Sequence, residues 1–319
     1  MSAAGRRVGV LRAFRAAAQE LAIDLRIVGC DADPGFSSAC RLADIRYPLP
    51  LASDSSFVDR VKAIVVGEGV NLLLPLIDPE LEIYARTAAD FDVLGCKVIL
   101  GTREAVAVCR DKMKTMRILA SAGVQIPPTS LVSDLSADDR AWCPFDAVVK
   151  PIDGSASQGI AYVARGGRID ADKPSRTILQ QRIRGAEYTV NVFVDQRAHV
   201  RCIVPHRRVR IRAGEVEKGY TERNEVLAQQ GREIAAAIPG LTGPFCFQAI
   251  VTESGESHVF EVNARFGGGY PLCHEAGGKF TKWILEEATG RPCTASDDWM
   301  DRLNMIRYDE AIFWKGDPA

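Results

Sequence analysis

Two strands that fold back on one another constrain this 319-residue chain more than any other stretch. Residues 245–251 (FCFQAIV) and 257–263 (SHVFEVN) carry strand composition. The Glu253-Ser254-Gly255-Glu256 break between them has turn composition, so the segment reads as a β-hairpin. A turn centred on Ser254-Gly255 sets Gln248 directly opposite Glu261 by antiparallel pairing. Side chains alternate along a strand, so Asn263 and Arg265 follow Glu261 on the same face. An amide, a carboxylate, a second amide and a guanidinium then converge.

Oxygen donors of this kind suit a hard divalent cation such as Mg²⁺, which prefers carboxylate, amide and phosphate oxygens to nitrogen or sulfur. Arg265 beside the ion can grip a phosphate oxygen in bidentate fashion. Glu-x-Asn-x-Arg alone fits an edge hairpin with a polar outer face at least as well. Gln248 across the hairpin and the Gly267-Gly268-Gly269 run after it shift the balance toward a site. With these residues together, the hairpin resembles the metal-binding end of the ATP-grasp superfamily, in the branch similar to the large subunit of carbamoyl phosphate synthetase. The resemblance implies that Gln248, Glu261 and Asn263 hold ATP-bound Mg²⁺, with Mn²⁺ as a substitute, and that Arg265 stabilises the transferred phosphoryl group.

Composition sets the bounds. A hydrophobic content of 47% allows a large core divided into two or three units. With 40 basic and 41 acidic side chains and a net charge of -1, nucleic acid is not an expected partner. Nine cysteines without a C-x-x-C pair and four histidines suggest neither a disulfide framework nor a zinc site, and free thiols fit a reducing compartment. No apolar run approaches the roughly 20 residues that span a bilayer, and the start lacks a signal-peptide core. A cytoplasmic protein without membrane contact is expected.

In the first third, apolar runs at 25–30, 71–76 and 97–100 alternate with helical spacing at 56–67 and 79–90, which predicts parallel β-α-β units. Asp31, Asp33, Asp78 and Glu80 fall at the carboxyl ends of those strands, where ligands bind in open α/β sheets. Acids there are more often turn or helix-cap residues. The absence of G-x-G-x-x-G gives no support to a dinucleotide cofactor. Ala4-Gly5-Arg6-Arg7 is similar to a turn that follows the first strand in the resembled family. By analogy residues 8–21 are helix, with Leu11, Phe14, Ala18 and Leu21 on one face and the first strand missing. Without the analogy, residues 7–11 read equally as a strand.

Residues 109–128 read as a helix ending at Gly123 and a Pro-Pro exit, with Met116, Leu119 and Ala120 packed. Residues 147–150 form a strand ending in Lys150, followed by a glycine-serine loop whose backbone N–H groups can approach phosphate. Lysine precedes the loop, so this is not a P-loop. The resemblance implies that Lys112 reaches the nucleotide phosphates, that Lys150 binds the α/β-phosphates, and that Ser155, Ser157 and Gly159 close over the triphosphate. After a strand at 177–180, it implies adenine contacts from Gln180 and from the main chain of Gln181 and Ile183, with Glu187 on the ribose. The basic stretch 206–219 is in itself a solvated face, yet the resemblance sets Arg212 and Lys218 beside the γ-phosphate. Helices are expected at 219–238 and 279–289, a loop at 267–277 with His274 as a packing residue, and a last strand from Met305.

The resemblance extends over almost the whole chain. It implies an α/β and α+β protein with an ATP-grasp fold: an N-terminal Rossmann-like (pre-ATP-grasp) α/β domain at 1–108, a lid at 109–184 and a catalytic subdomain at 185–319. The implied activity is ATP- and Mg²⁺-dependent carboxylate-amine or carboxylate-thiol ligation through an acylphosphate. The partners would be small-molecule carboxylate and amine substrates, with room for a homodimer. Kinase-like or carboxylase-like phosphoryl transfer, or ATP binding without turnover, are the competing readings. One unit without a glutaminase segment makes carbamoyl phosphate synthesis itself unexpected.

Overall fold

The computed structural model describes residues 1–154, 159–169 and 176–316. Its first part runs α1 (Val8–Glu20), β1 (Val28–Asp31), α2 (Ser38–Leu42), β2 (Ile45–Pro48), α3 (Phe57–Glu68), β3 (Leu72–Leu73), α4 (Asp78–Val93) and β4 (Lys97–Val98). β1 pairs with β2 and β3 with β4, both in parallel, as alternation of strand and helix predicts. Between the two pairs lies the start of the chain. The Cys30 N–H donates to the Met1 carbonyl at 2.9 Å and the Ser2 N–H to the Leu74 carbonyl at 3.0 Å, so residues 1–4 occupy the slot in which a first strand was expected to be missing. Residues 7–11 are not a strand, because Val10, Leu11, Phe14 and Ala18 make one buried face of α1.

Two helices, α5 (Arg103–Arg110) and α6 (Lys112–Ser121), then meet at Asp111, whose side chain accepts from the Lys114 N–H and caps the second. Met116 and Leu119 are buried as expected, but Ala120 lies on the exposed side. A small antiparallel sheet follows, built from β5 (Thr129–Leu131), β6 (Ala147–Pro151), β7 (Ala161–Val163) and β8 (Thr177–Gln181) in the order β5-β8-β6-β7, with α7 (Ala137–Ala141) beside it. Its separate core contains Val132, Val149, Ile169 and Leu179.

The remainder is a six-stranded sheet in the order β13-β12-β9-β10-β11-β14. Its strands are β9 (Ala186–Val194), β10 (Val200–Arg212), β11 (Glu215–Thr221), β12 (Gly243–Val251), β13 (Ser257–Asn263) and β14 (Asn304–Ile306), with helices α8 (Glu225–Ala237), α9 (Tyr270–Ala276) and α10 (Phe280–Ala288). Alternation along β9 sends Val190, Val192 and Val194 into a core shared with α5, α6 and α8, and Phe193 into a second core with α1, α9 and α10. Helices therefore cover both faces. Residues 103–124, assigned in part to the lid by resemblance, share their core with this large sheet. Fully buried Phe247 illustrates the energetics: truncation to Ala costs about 3–5 kcal/mol.

Three sequence expectations are corrected here. Residues 219–221 continue β11, because helix α8 begins only after Asn224, whose side chain accepts from the Leu227 N–H. The expected loop at 267–277 contains α9, started by Pro271 in its first turn and ended by Gly277 at φ +123°. The last strand stops at Ile306, after which Arg307 turns inward to Glu215 and the Gly268 carbonyl.

Candidate active site

β12 and β13 form the expected hairpin, and Gln248 faces Glu261. The route differs from the simple one. Val251, Ile250 and Ala249 pair with Ser257, His258 and Val259, which centres the turn one half-residue earlier. A bulge at Phe260 then restores the Gln248–Glu261 pairing. Without it, the register would set Gln248 opposite Phe260, and a one-residue slip exchanges the faces of a strand. Cys246, Gln248 and Ile250 thus share a cavity wall with Glu261, Asn263 and Arg265.

This cavity holds about 860 Å³, ample for a ligand of nucleotide size, and lies between the small sheet, the large sheet and the first part of the chain. At one end, Lys150 from β6 and Lys112 from the start of α6 approach Glu261. The Lys112 Nζ lies 3.4 Å from Glu261 Oε1 and also donates to the Gly154 carbonyl. The Lys150 Nζ donates to Gln180 Oε1 at 2.8 Å and to the bulge carbonyl of Phe260 at 3.5 Å. Burial pushes the Lys150 ammonium down to about 8, against the pull of Glu261. Gln180 is used at both ends of its amide, since its Nε2 donates to Thr129 Oγ1 at 2.9 Å. Gln181 and Ile183 line the wall beyond it, although the Gln181 N–H is already given to the Pro128 carbonyl. Glu187 lines the same wall, paired with Arg208 at 3.3 Å.

At the other end, Arg265 makes a bidentate pair with Asp78 at the start of α4, at 2.9 Å and 2.6 Å, and donates to the Phe266 carbonyl. Both side chains are nearly buried. Burial pushes the Asp78 carboxyl up, but the guanidinium outweighs it and holds the group below its ordinary range. Arg7, on the turn before α1, pairs with Glu215 at 3.1 Å, and Arg307 takes the other Glu215 oxygen at 2.7 Å. Gly267–Gly269 cross directly above this cluster: a Cβ on Gly268 would sit 2.9 Å from the Glu215 carboxyl, and one on Gly269 only 2.3 Å from His206 Nε2. His206 itself is fully buried, and burial lowers its pKa to about 3, so its ring is neutral.

Not every expected residue arrives. Arg212 and Lys218 are absent from the cavity wall. Arg212 is half exposed and held by Glu217 and Asp309, and Lys218 pairs across the strands with Arg210. Ser155 and Ser157 lie outside the described residues, and Gly159, at φ +70°, packs toward Pro151. Conversely, Arg6, Arg7, Arg208 and Glu215 line the cavity without having been singled out for it. The Gly-Arg-Arg turn offered a signal for the first two; Glu215 was hidden in a basic stretch.

The donor set can be tested against a metal. Among the described residues no three His, Cys, Asp or Glu side chains converge, which leaves Glu261 with the amide oxygens of Gln248 and Asn263. One carboxylate and two neutral oxygens suit Mg²⁺, whose remaining positions are filled by substrate phosphates and water. The residues present fit the ion.

Lysines from two units thus face an oxygen-donor hairpin across a cleft of nucleotide size. Residues 109–269 match the family described as ATP-grasp domain, and the chain belongs to it. Residues 1–99 match the family described as PylC-like, N-terminal domain. No curated protein matches the sequence. Among solved structures, biotin carboxylase from Campylobacter jejuni is similar with a TM-score of 0.73 at 16% identity, over 94% of this chain and 72% of that one. L-amino acid ligase from Bacillus licheniformis gives 0.66 at 20% identity, over 93% and 74%. N5-carboxyaminoimidazole ribonucleotide synthetase from Thermotoga maritima gives 0.64 at 16%, over 93% and 76%. At such identities the likeness establishes the fold alone. No helix among the described residues is long and apolar enough to cross a membrane.

Proposed function

We propose that this ATP-grasp enzyme is a carboxylate-amine ligase that works through an acylphosphate. A carboxylate oxygen attacks the γ-phosphorus of ATP and ADP leaves. The amine nitrogen then adds to the acyl carbon, phosphate leaves, and the amine loses a proton as the amide forms. The observation that carries this reading is the convergence of Lys112 on Glu261, with Lys150 beside them, over the face that Gln248, Asn263 and Arg265 share. Lys112 and Lys150 offset the charge of the phosphates, and Glu187, with Gln181 and Ile183, borders the space for the nucleoside. Mg²⁺ held by Gln248, Glu261 and Asn263 would neutralise charge spreading over the phosphoryl oxygens, the main source of catalysis in such transfers. The likeness to an L-amino acid ligase supports a small carboxylate as the activated substrate.

Hydroxylamine traps an acylphosphate as a hydroxamate. A screen of small carboxylates with MgATP and hydroxylamine is expected to yield hydroxamate, ADP and phosphate in equal amounts, lost in Glu261→Gln. A stable phosphorylated product, or ADP release that requires bicarbonate and yields no hydroxamate, would replace ligation by a kinase-like or carboxylase-like reaction.

A further inference from the structure

The three glycines on the cavity wall are held from two directions. The Gly267 carbonyl accepts from the Tyr270 N–H at 3.2 Å and the Gly269 carbonyl from the Leu272 N–H at 3.1 Å, both in the first turn of α9. The middle carbonyl, of Gly268, is taken instead by the Arg307 side chain, 39 residues away. With its other terminal nitrogen Arg307 holds Glu215 at 2.7 Å. Gly268 and Glu215 line the cavity, whereas Arg307 stands behind them. Three consecutive glycines have wide backbone freedom, so the loop depends on such a hold.

Arg307 is brought there by a strap. From β14, residues 307–314 leave the large sheet and cross onto the first unit. The Arg307 N–H donates to the Glu217 carbonyl at 2.9 Å, and Asp309 pairs with Arg212 of β10 at 2.7 Å. Farther along, Glu310 pairs with Arg12 of α1 at 3.3 Å, and the Trp314 ring lies over the Arg41 guanidinium of α2, 4.0 Å from its centroid. None of residues 304–314 is buried, and Tyr308 and Phe313 are 79% and 91% exposed. No fully buried apolar side chain anchors this segment. Surface ion pairs and a ring contact hold it, and each contributes little. Segments with so few buried contacts open at far lower free energy than the whole fold.

We propose that residues 307–314 are a latch. Docked on α1 and α2, they keep Arg307 in place as the positioning residue of Gly268 and Glu215. Undocked, they free both and remove the Arg12 and Arg41 contacts that tie the first unit to the large sheet. The inference rests on this network of contacts and does not depend on which reaction the cavity carries out.

Hydrogen exchange of the whole chain tests it. Glu310→Ala combined with Trp314→Ala touches neither the cavity wall nor Arg307, yet should speed amide exchange across residues 264–272 by about tenfold. Residues 186–194, in the middle of the large sheet, should keep their wild-type rate. Arg307→Ala should speed exchange at 264–272 at least as much. Arg12→Glu sets two like charges together and should speed it by about threefold, and adding Glu310→Arg should restore the wild-type rate. Unchanged exchange at 264–272 in the Glu310→Ala/Trp314→Ala variant, acceleration that extends equally to 186–194, or failure of the reversed pair to restore the rate would overturn the proposal.

Discussion

The two ends of the cavity are held by different bonds. At the lysine end, Lys112 and Lys150 lean largely on neutral oxygens, those of Gly154, Gln180 and Phe260, with Glu261 the carboxylate between them. At the arginine end, the cations lean on carboxylates: Arg265 on Asp78, and both Arg7 and Arg307 on Glu215. Each end keeps one more cation than carboxylate among these residues, two lysines against Glu261 at the first and three arginines against Asp78 and Glu215 at the second, but only the second ties its cations to carboxylates of another unit. Those ion pairs couple the first 99 residues to the hairpin, so they report domain docking as much as ligand. Perturbations should therefore act on stability at the arginine end and on turnover at the lysine end.

The largest stability effect belongs to the Arg265–Asp78 pair. Arg265→Ala leaves a buried carboxylate without its cation and is expected to cost about 3–5 kcal/mol in urea unfolding. Arg265→Ala combined with Asp78→Asn should be less destabilised than the single variants predict by addition, with an interaction energy of about 0.5–3 kcal/mol. Additive variants would show that the pair is not closed in solution. The sign with pH follows from Asp78, whose folded pKa is depressed. Its contribution is fully present above the ordinary carboxylate range and is lost as pH falls from there through the lower folded value.

At the lysine end the counterpart is Glu261→Gln. On the proposed reaction, loss of the carboxylate that would hold Mg²⁺ is expected to lower kcat by about 10²–10³-fold. The urea midpoint should move little, since Glu261 is partly open to solvent and its Lys112 pair is long. A large fall in stability with modest loss of turnover would reverse the comparison between the two ends.

Lys150 gives a graded effect. Because burial brings its pKa to about 8, the nucleotide-free protein loses this proton as pH rises through 8, and KM for ATP should then climb by up to about tenfold per pH unit. Arg keeps its proton throughout, so Lys150→Arg should flatten that limb even if binding is weaker overall. Stability moves the other way. Between pH 8 and the ordinary lysine value the unfolded chain binds more protons than the folded one, so folding becomes more favourable as pH rises across that window. A KM that is level from pH 7 to 10 would show that Lys150 does not carry the charge ATP needs.

The same contrast decides what could be read in the chain itself. Alternation within one hairpin placed Gln248, Glu261, Asn263 and Arg265 on one wall, because neighbours in a strand fix each other's direction. The bulge at Phe260 was not legible, since composition does not show where a ladder slips. Asp78 and Arg265 stand 187 residues apart, and their pairing depends on how two units dock. Periodicity speaks only of which face a residue takes. Helix α9 was obscured by its Gly267-Gly268-Gly269 lead, which reads as loop although Pro271 marks a helix start.

The smallest expected effect concerns the β10–β11 hairpin, where resemblance set Arg212 beside the γ-phosphate and the structure sets it outside, on Glu217 and Asp309. An exposed pair of this kind contributes little, so Arg212→Ala should leave the urea midpoint within experimental error. Turnover is the more informative reading. If the hairpin keeps its present position when ATP binds, the loss of kcat should be far smaller than in Glu261→Gln. A loss of similar size would mean that nucleotide draws β10 and β11 inward, trading the Asp309 pair for phosphate. The β10–β11 hairpin would then be held by the ligand as well as by carboxylates of the protein.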